Sequence, residues 1–476
     1  MNRTNISWAA AALVSVLLYL ILWPSPAGSP EEREALRQGR TIVVYWDRHS
    51  GHEHQARVDL VEEYNRSRGI EDGAYVRALP IGYNVLMEKM LTSIAAGSPP
   101  DVCSMDTAIL AQLVSQGCFS PLDDLVNSEP SLRQEAFLPH TWEMSCFKGY
   151  DAATRKWVTA VWGIPTTSDS FCLLWNKDAF RKAGLDPERP PRTIAELEEF
   201  AAKLTIRGST GIEQYGFVPW FPWDLTHMWG GLFGGRWFDE ETGLAVCRGD
   251  PGVIASFAWQ QKFAVDPNAA SQLPYAIDPE RTQSFEKMGA YQSSNNPFYS
   301  GKVAMITEGE WQVTFIRKYA PDLDWGVAPV PQPEGVEPLA YGPASVADAI
   351  PAGARNRDAA LKFLRWFYAP RPDGRPSPAS DYNAAIHNIP PRRDEALQER
   401  FMGDPEFRVF VEVLLNRPVV RYPVSSETQF FLDEMASSRE YILRYLKTPE
   451  VAARDLEQST NEAIKRHQDV GGASAS

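Results

Sequence analysis

The loop Asp47-Arg48-His49-Ser50-Gly51-His52-Glu53 sets acid, base and hydroxyl groups side by side. His49, Ser50, His52 and Glu53 are candidates for holding a polar ligand, and Asp106 offers a further carboxylate. Carboxylates accept hydrogen bonds from ligand hydroxyls, and such charge-assisted bonds are stronger than neutral ones. Aromatic residues gather at Trp220, Phe221, Trp223, Trp229, Phe233, Trp237 and Phe238, with Gly230, Gly231, Gly234 and Gly235 between them. Flat rings at a loop or helix end stack on a flat apolar ligand face, whereas inside a lobe they are packing. Trp223 and Trp229 are the candidates for a ligand-facing role, and about half of the cluster is expected in the core. Tyr341, in Tyr341-Gly342-Pro343-Ala344-Ser345, is a further candidate, as are Tyr83 and Asp169.

Signatures of catalysis are missing. The sequence has no His-Glu-x-x-His, no Gly-x-Ser-x-Gly and no P-loop. Of its seven histidines, only His49, His52 and His54 stand at a spacing (i, i+3, i+5) that could gather around a metal. No catalytic residue, metal or cofactor is expected. A glycoside-cleaving enzyme needs two opposed carboxylates, a pattern that a single sequence leaves open.

Scaffolds for these groups can be read from periodicity. Residues 41–46 form a first strand, and Ala56, Leu60, Val61 and Tyr64 mark one face of the helix after it. Met87, Met90, Leu91 and Ile94 mark the next helix, which stops at Gly97-Ser98-Pro99-Pro100. Residues 101–105 read as a buried strand ending at Asp106. Strands alternating with helices imply βαβ units and a parallel sheet. Open sheets of this kind bind ligands at the carboxyl ends of their strands, which is where the first loop and Asp106 fall. Further strands are expected at 161–165, 170–175, 303–306, 325–330 and 345–350. Thr193-Ile194-Ala195-Glu196 is a capping box opening a helix, and the C-terminal third is mostly helical.

The chain has 476 residues, room for two or three domains at ~100–200 residues each. With 47 basic and 61 acidic residues the net charge is −14, which disfavours nucleic acid as a partner. Hydrophobic residues make up 44%, a globular proportion that excludes wholesale disorder. The one long apolar run, residues 8–23, follows Arg3 and is broken by Pro24, Pro26, Gly28 and Pro30. Its length falls between a signal-peptide core of ~7–15 residues and a spanning helix of ~20. A cleaved export signal and a retained membrane anchor are both open; Ser25-Pro26-Ala27 is a poor cleavage site, and no cysteine follows for lipid attachment. The five cysteines have no metal-like spacing and are either one or two disulfides with one left over, or buried thiols.

Several segments together resemble the extracellular solute-binding protein family 1 of ABC importers, the maltose-binding-protein-like group. They are Gly97-Ser98-Pro99-Pro100-Asp101-Val102, the stretch Leu174-Trp175-Asn176-Lys177-Asp178 continuing to Leu197, Gly301-Lys302-Val303-Ala304-Met305-Ile306 with Gly309 and Trp311, and Asp324-Trp325-Gly326-Val327-Ala328-Pro329. The resemblance runs from Thr41 to about Gln468.

The resemblance implies an α/β fold, a type II periplasmic-binding-protein clamshell of two lobes, each a sheet flanked by helices, with an N-terminal hydrophobic segment. The implied division is 1–40 as signal or anchor plus linker, 41–167 with 309–362 as lobe one, 168–308 with 363–470 as lobe two, and 471–476 as a disordered tail. Segments 165–170 and 306–309 would be hinges. Trp311 falls where the family often stacks a sugar ring, and Trp229 in a segment placed near the sugar. Glu308 stands where many relatives have asparagine; its charge could accept further hydroxyl bonds or favour a basic ligand. Arg392 falls in a segment like the family's late cleft loop. The implied function is capture of a carbohydrate or related polar solute and its delivery to ABC permease subunits, by an exported monomer in the periplasm or at the outer face of the cytoplasmic membrane. A sensory or scavenging receptor of the same fold is the alternative, with a glycoside-acting enzyme behind it.

Overall fold

The computed structural model describes residues 28–209, 211–282 and 293–474, leaving aside the side chains of 83, 84 and 468–474. The apolar run at 8–23, with the signal-or-anchor expectation, lies outside the described residues. Among the described residues no helix is long and apolar enough to cross a membrane.

Strand β1 (Thr41–Asp47) buries Val43, Tyr45 and Asp47 in alternation, as a half-covered pleat requires. It pairs in parallel with β2 (Ala74–Pro80) on one side and β3 (Val102–Asp106) on the other. Beyond β3 lies β14 (Val346–Pro351), antiparallel to it, and β14 also pairs with β4 (Phe119–Ser120) and β7 (Ile164–Pro165). One face of this sheet carries Tyr64, Phe363, Phe367 and Tyr382 from its helices. The other carries Leu86, Met90, Leu110 and Trp162. Covering on both faces explains why β14 is buried along its whole length and apolar except for the buried Asp348. A hairpin of β5 (Cys146–Asp151) and β6 (Lys156–Val161) flanks this lobe.

The second sheet has the order β12-β8-β11-β10-β9, from β8 (Phe171–Asn176), β9 (Ile206–Gly208), β10 (Gly211–Phe217), β11 (Val303–Gly309) and β12 (Trp325–Ala328). Its core is rich in rings, including Phe217, Trp229, Trp259, Phe263, Phe410 and Phe431. Thr193 opens the helix Ile194–Leu204 by accepting from the Glu196 N–H at 3.2 Å. Glu196 reaches back one residue further than a capping box predicts, to the Arg192 N–H at 2.7 Å.

The chain crosses between lobes at 166–170, 342–345 and 387–388. The crossings are laced together: the Thr166 N–H donates to the Val346 carbonyl at 2.6 Å and the Ser168 N–H to the Ile389 carbonyl at 2.9 Å. Just beyond, β13 (Ala340–Tyr341) pairs with β15 (Val419–Val420) inside lobe two.

The two-lobed α/β class is as expected, and the division of the chain is corrected. Residues 309–341, expected in lobe one, stay in lobe two, because β12 bonds to β8 and Val313 and Ile316 enter its core. Residues 363–386, expected in lobe two, belong to lobe one, where Phe363, Leu364, Phe367 and Tyr382 fill the core. Segment 306–309 is no hinge but the buried end of β11, paired with β8. The helix Pro30–Arg37, expected as linker, packs on β1 and β2, with Glu32 Oε1 2.9 Å from Arg77 Nη1. The last helix, Pro449–Ser474, continues through 471–474, expected as a tail. All five cysteines are free thiols, and all but Cys146 are buried.

Candidate functional site

The segments after the carboxyl ends of β1, β3 and β11 come together at the first crossing. On the lobe-one side, Arg48 Nη1 lies 3.4 Å from Asp106 Oδ2. Asp106 also caps the helix Thr107–Ser115, its Oδ1 accepting from the Ala108 N–H at 2.9 Å. Ser50 is exposed at the start of the helix Gly51–Arg66, and Glu53 is buried in its first turn. Asp169, in the first crossing, sits close enough to these groups to feel them. Burial, then Asp106, push its carboxyl up to about 7, Arg48 opposing and Glu53 adding.

On the lobe-two side two indoles stand at right angles, Trp223 and Trp311, with ring centres 6.3 Å apart. Trp223 is 37% exposed and Trp311 8%. Trp311 also meets Phe171 edge-on at 5.5 Å. Gly309 is required beneath it: a Cβ there would lie 2.3 Å from the Trp311 ring. Glu308 Oε2 accepts from Trp223 Nε1 at 2.6 Å and from the Gly309 N–H at 3.0 Å. Burial nevertheless pushes the Glu308 carboxyl up to about 7, because these donors only partly replace water. Glu310 is fully buried at the hinge, where its Oε2 accepts from the Ser170 N–H at 2.9 Å. Its carboxyl is raised well above the usual range by burial and by Asp169. On this side Arg439 is held by Asp224 at 3.2 Å and Glu440 at 3.1 Å.

Asp106, Asp169 and Glu53 therefore gather with Arg48, and Trp223, Glu308 and Trp311 form a second group in lobe two, with Trp311 at the edge of its core. Trp229, Tyr341 and Arg392 are placed elsewhere. Trp229 is fully buried, its Nε1 donating to the Pro219 carbonyl at 2.9 Å and its ring 4.6 Å from Trp259, so it has no face for a ligand. Trp220 and Trp237 likewise spend their indole N–H groups inside lobe two. Tyr341 is buried between Phe171 and His227. Arg392 is a structural clamp, donating to the Ser131 carbonyl and, at 2.8 Å, to Asp394 Oδ2. His52 is exposed and lies 3.0 Å from the Ala385 carbonyl. His49 supports the loop from below, its Nδ1 3.1 Å from Asp47 Oδ1 and 3.1 Å from the Tyr382 hydroxyl. Tyr83 opens the helix Tyr83–Ala95, but its side chain lies outside the described residues.

The histidine trio is not a metal centre: His54 Nδ1 joins His49 on Asp47, at 2.9 Å. Among the described residues no group of three His, Cys, Asp or Glu could hold a metal ion. Sequence reasoning missed Arg48 and Tyr299. Arg48 could have been found, since it lies in the loop already singled out; nothing local marks Tyr299, whose hydroxyl accepts from Gln312 Nε2 at 2.8 Å.

Two α/β lobes, each with its own sheet and core and joined by three crossings, have the architecture of a two-lobed solute-binding protein. The chain belongs to the bacterial extracellular solute-binding protein family, which it matches over residues 71–373. It is 24% identical over 402 residues, 81% of this chain and 85% of the relative, to a Brucella abortus protein named as a binding protein. It is 24% identical over 297 residues, 62% of each chain, to the sn-glycerol-3-phosphate-binding periplasmic protein UgpB of Escherichia coli. Among solved structures, mannotriose-bound CpMnBP1 superposes with a TM-score of 0.71 at 26% identity, over 88% of this chain and all of that one. The sugar-binding protein MalE of Xanthomonas citri gives 0.68 at 20% identity, over 90% and 99%.

Proposed function

We propose that this protein captures a carbohydrate or related polyhydroxylated solute between its lobes and delivers it to the permease of an ABC importer, without chemical change to the solute. The observation that supports this reading is the right-angled pair Trp223 and Trp311 on lobe two, with Trp223 anchored on Glu308, taken with the carboxylates of Asp106 and Asp169 at the end of β3 and in the first crossing. The sugar face without hydroxyls is apolar and stacks on indole, while its hydroxyl edge donates to carboxylates. Ser50, Glu53, Asp106 and Asp169 would serve the hydroxyl edge, and Trp223, Glu308 and Trp311 the opposite side. A solute that bonds to both lobes favours their closure, since only the closed state gains both sets of contacts. The likeness to mannotriose-bound CpMnBP1 supports a sugar. We place the protein outside the cytoplasmic membrane, as a monomer, with residues 8–23 as its export signal or anchor.

A thermal-shift screen over mono- and oligosaccharides and polyols tests the reading. A solute that binds only the folded state raises the melting temperature. The expected result is a rise with at least one polyhydroxylated compound, lost in Trp311→Ala; no rise with any would overturn it.

A further inference from the structure

The way the two indoles of lobe two are held goes further than capture of a sugar, and the inference rests on the reading just given. Trp311 is placed by the core. It is 8% exposed, meets Phe171 edge-on at 5.5 Å and lies over Gly309, where a Cβ would come within 2.3 Å of its ring. Trp223 has a different footing. It lies between β10 and the helix Thr226–Leu232, in a segment whose Trp220, Phe221 and Leu225 are buried in the core while Trp223 itself is 37% exposed. A large side chain on such a segment has rotamer freedom to lose when a solute fixes it. Its anchor comes from a rigid element. Glu308 is on β11, 3% exposed and paired in register with Cys172 of β8. Its Oε2 is steadied by the Gly309 N–H at 3.0 Å and accepts from Trp223 Nε1 at 2.6 Å. Short bonds to an ionised acceptor belong to the strong class. This one runs from a strand end to a loop and leaves the two rings at 86°, with centres 6.3 Å apart.

We propose that Glu308 is a positioning residue, which acts through the Trp223 indole rather than on the solute: it fixes that ring against Trp311 before the solute arrives, so that two rings at right angles form one corner for a saccharide ring. Fixing the ring in advance removes its ordering cost from binding, worth about three- to tenfold in affinity. A glutamine amide oxygen accepts the same indole bond, whereas alanine has nothing to offer it.

The Glu308 carboxyl faces the Gly309 N–H, the indoles of Trp223 and Trp311 and the hydroxyl of Tyr299. It titrates at about 7, so the anchor is strongest above that pH, where the acceptor is ionised, and weakens as the carboxyl takes up its proton.

Nuclear magnetic resonance of the full chain with labelled indole nitrogens tests this without any solute. The Trp223 indole N–H signal, identified by its loss in Trp223→Phe, should lie downfield of a solvent-exposed indole and move upfield as the pH falls from about 8 to about 6. Glu308→Gln should abolish that pH response, and Glu308→Ala should shift the signal to the solvent-exposed value. Calorimetric titration with mannotriose, maltotetraose and tagatose supplies the second arm. For whichever sugar binds, Glu308→Ala and Trp223→Phe should each weaken binding about three- to tenfold, and Glu308→Gln less than about twofold. Added to Trp223→Phe, Glu308→Ala should cost nothing further. Losses that simply add, or an unmoved Trp223 signal in Glu308→Ala, overturn the positioning role. Should Glu308→Ala not fold, Trp223→Phe carries the affinity arm and Glu308→Gln the pH arm. Failure of all three sugars to bind, with the Trp223 signal behaving as expected, counts against the sugar reading and leaves the positioning of the ring standing.

Discussion

In lobe one the cleft loop stands on buried charge. Arg57 is fully buried, 3.5 Å from Asp348 Oδ2, with its guanidinium carbon 4.0 Å from the centre of the Tyr382 ring and 4.5 Å from that of Phe367. Asp348 in turn accepts from the hydroxyls of Tyr45 at 2.9 Å and Tyr368 at 2.7 Å. Burial alone would raise the nearby Asp47 carboxyl, but bonds from His49 and His54 outweigh it and hold the group well below the usual carboxylate range. In lobe two the cleft segment stands on rings. Trp229 meets Phe217 at 6.0 Å and Trp259 at 4.6 Å within the core of that lobe. An ionic support is directional and fails all at once when one member goes, since the remaining charge is left buried. A ring cluster is graded, because each ring's loss leaves a cavity that its neighbours partly fill.

The contrast can be broken by substitution. Arg57→Ala should do most harm, about 3–5 kcal/mol of stability, because Asp348 would stay buried without its cation. Urea unfolding measures this, and a loss below about 1 kcal/mol would show that lobe one does not rest on the pair. Trp229→Ala should cost about 3–5 kcal/mol in the same assay while leaving solute affinity nearly unchanged. Trp311→Ala should reverse that pattern, weakening binding by about 1–3 kcal/mol with a smaller effect on unfolding. Like behaviour of the two tryptophans in titration would erase the distinction between core ring and cleft ring.

Two smaller effects sharpen the comparison. The Glu308 carboxyl titrates at about 7 in the fold against 4.5 for the free group. Its folded value is raised, so stability is full at low pH and falls as the pH rises from about 4.5 through about 7. Glu308→Gln should therefore stabilise the empty protein by about 1–3 kcal/mol near pH 8 and not at all near pH 4, as melting at the two values would show. Arg421→Ala removes the pair that joins lobe two to Glu143 of lobe one at 3.0 Å, on a half-exposed surface. It should shift the unfolding free energy by only about 0.2–1 kcal/mol, and less in high salt.

What could be read in the sequence follows the range of the forces involved. Asp106 and the β1 loop were legible because strand ends are set by local periodicity, and ligands gather at the carboxyl ends. The class of fold was carried by the spacing of its family segments. Trp229 and Trp223 were not separable, since ring composition says nothing about which way a ring faces; the difference comes from Trp259 and Phe263, far along the chain. Arg57 went unnoticed as one more charged residue on a helix, because its partner Asp348 is distant in sequence. The lobe boundaries failed for the same reason: the pairing of β12 with β8, and the burial of Phe363 and Phe367 beneath the first sheet, are long-range choices that no local window records.

One detail of the first sheet bears on how the molecule is made. The strand laid beside β3 is β14, which ends at Pro351, so the ribosome must add a further long stretch after Asp106 before that edge can be covered. At ~5–20 residues per second, the wait is roughly 12–50 s. Until then the edge of β3 that β14 covers stays open, and the first sheet can close only once the rest of the chain has arrived.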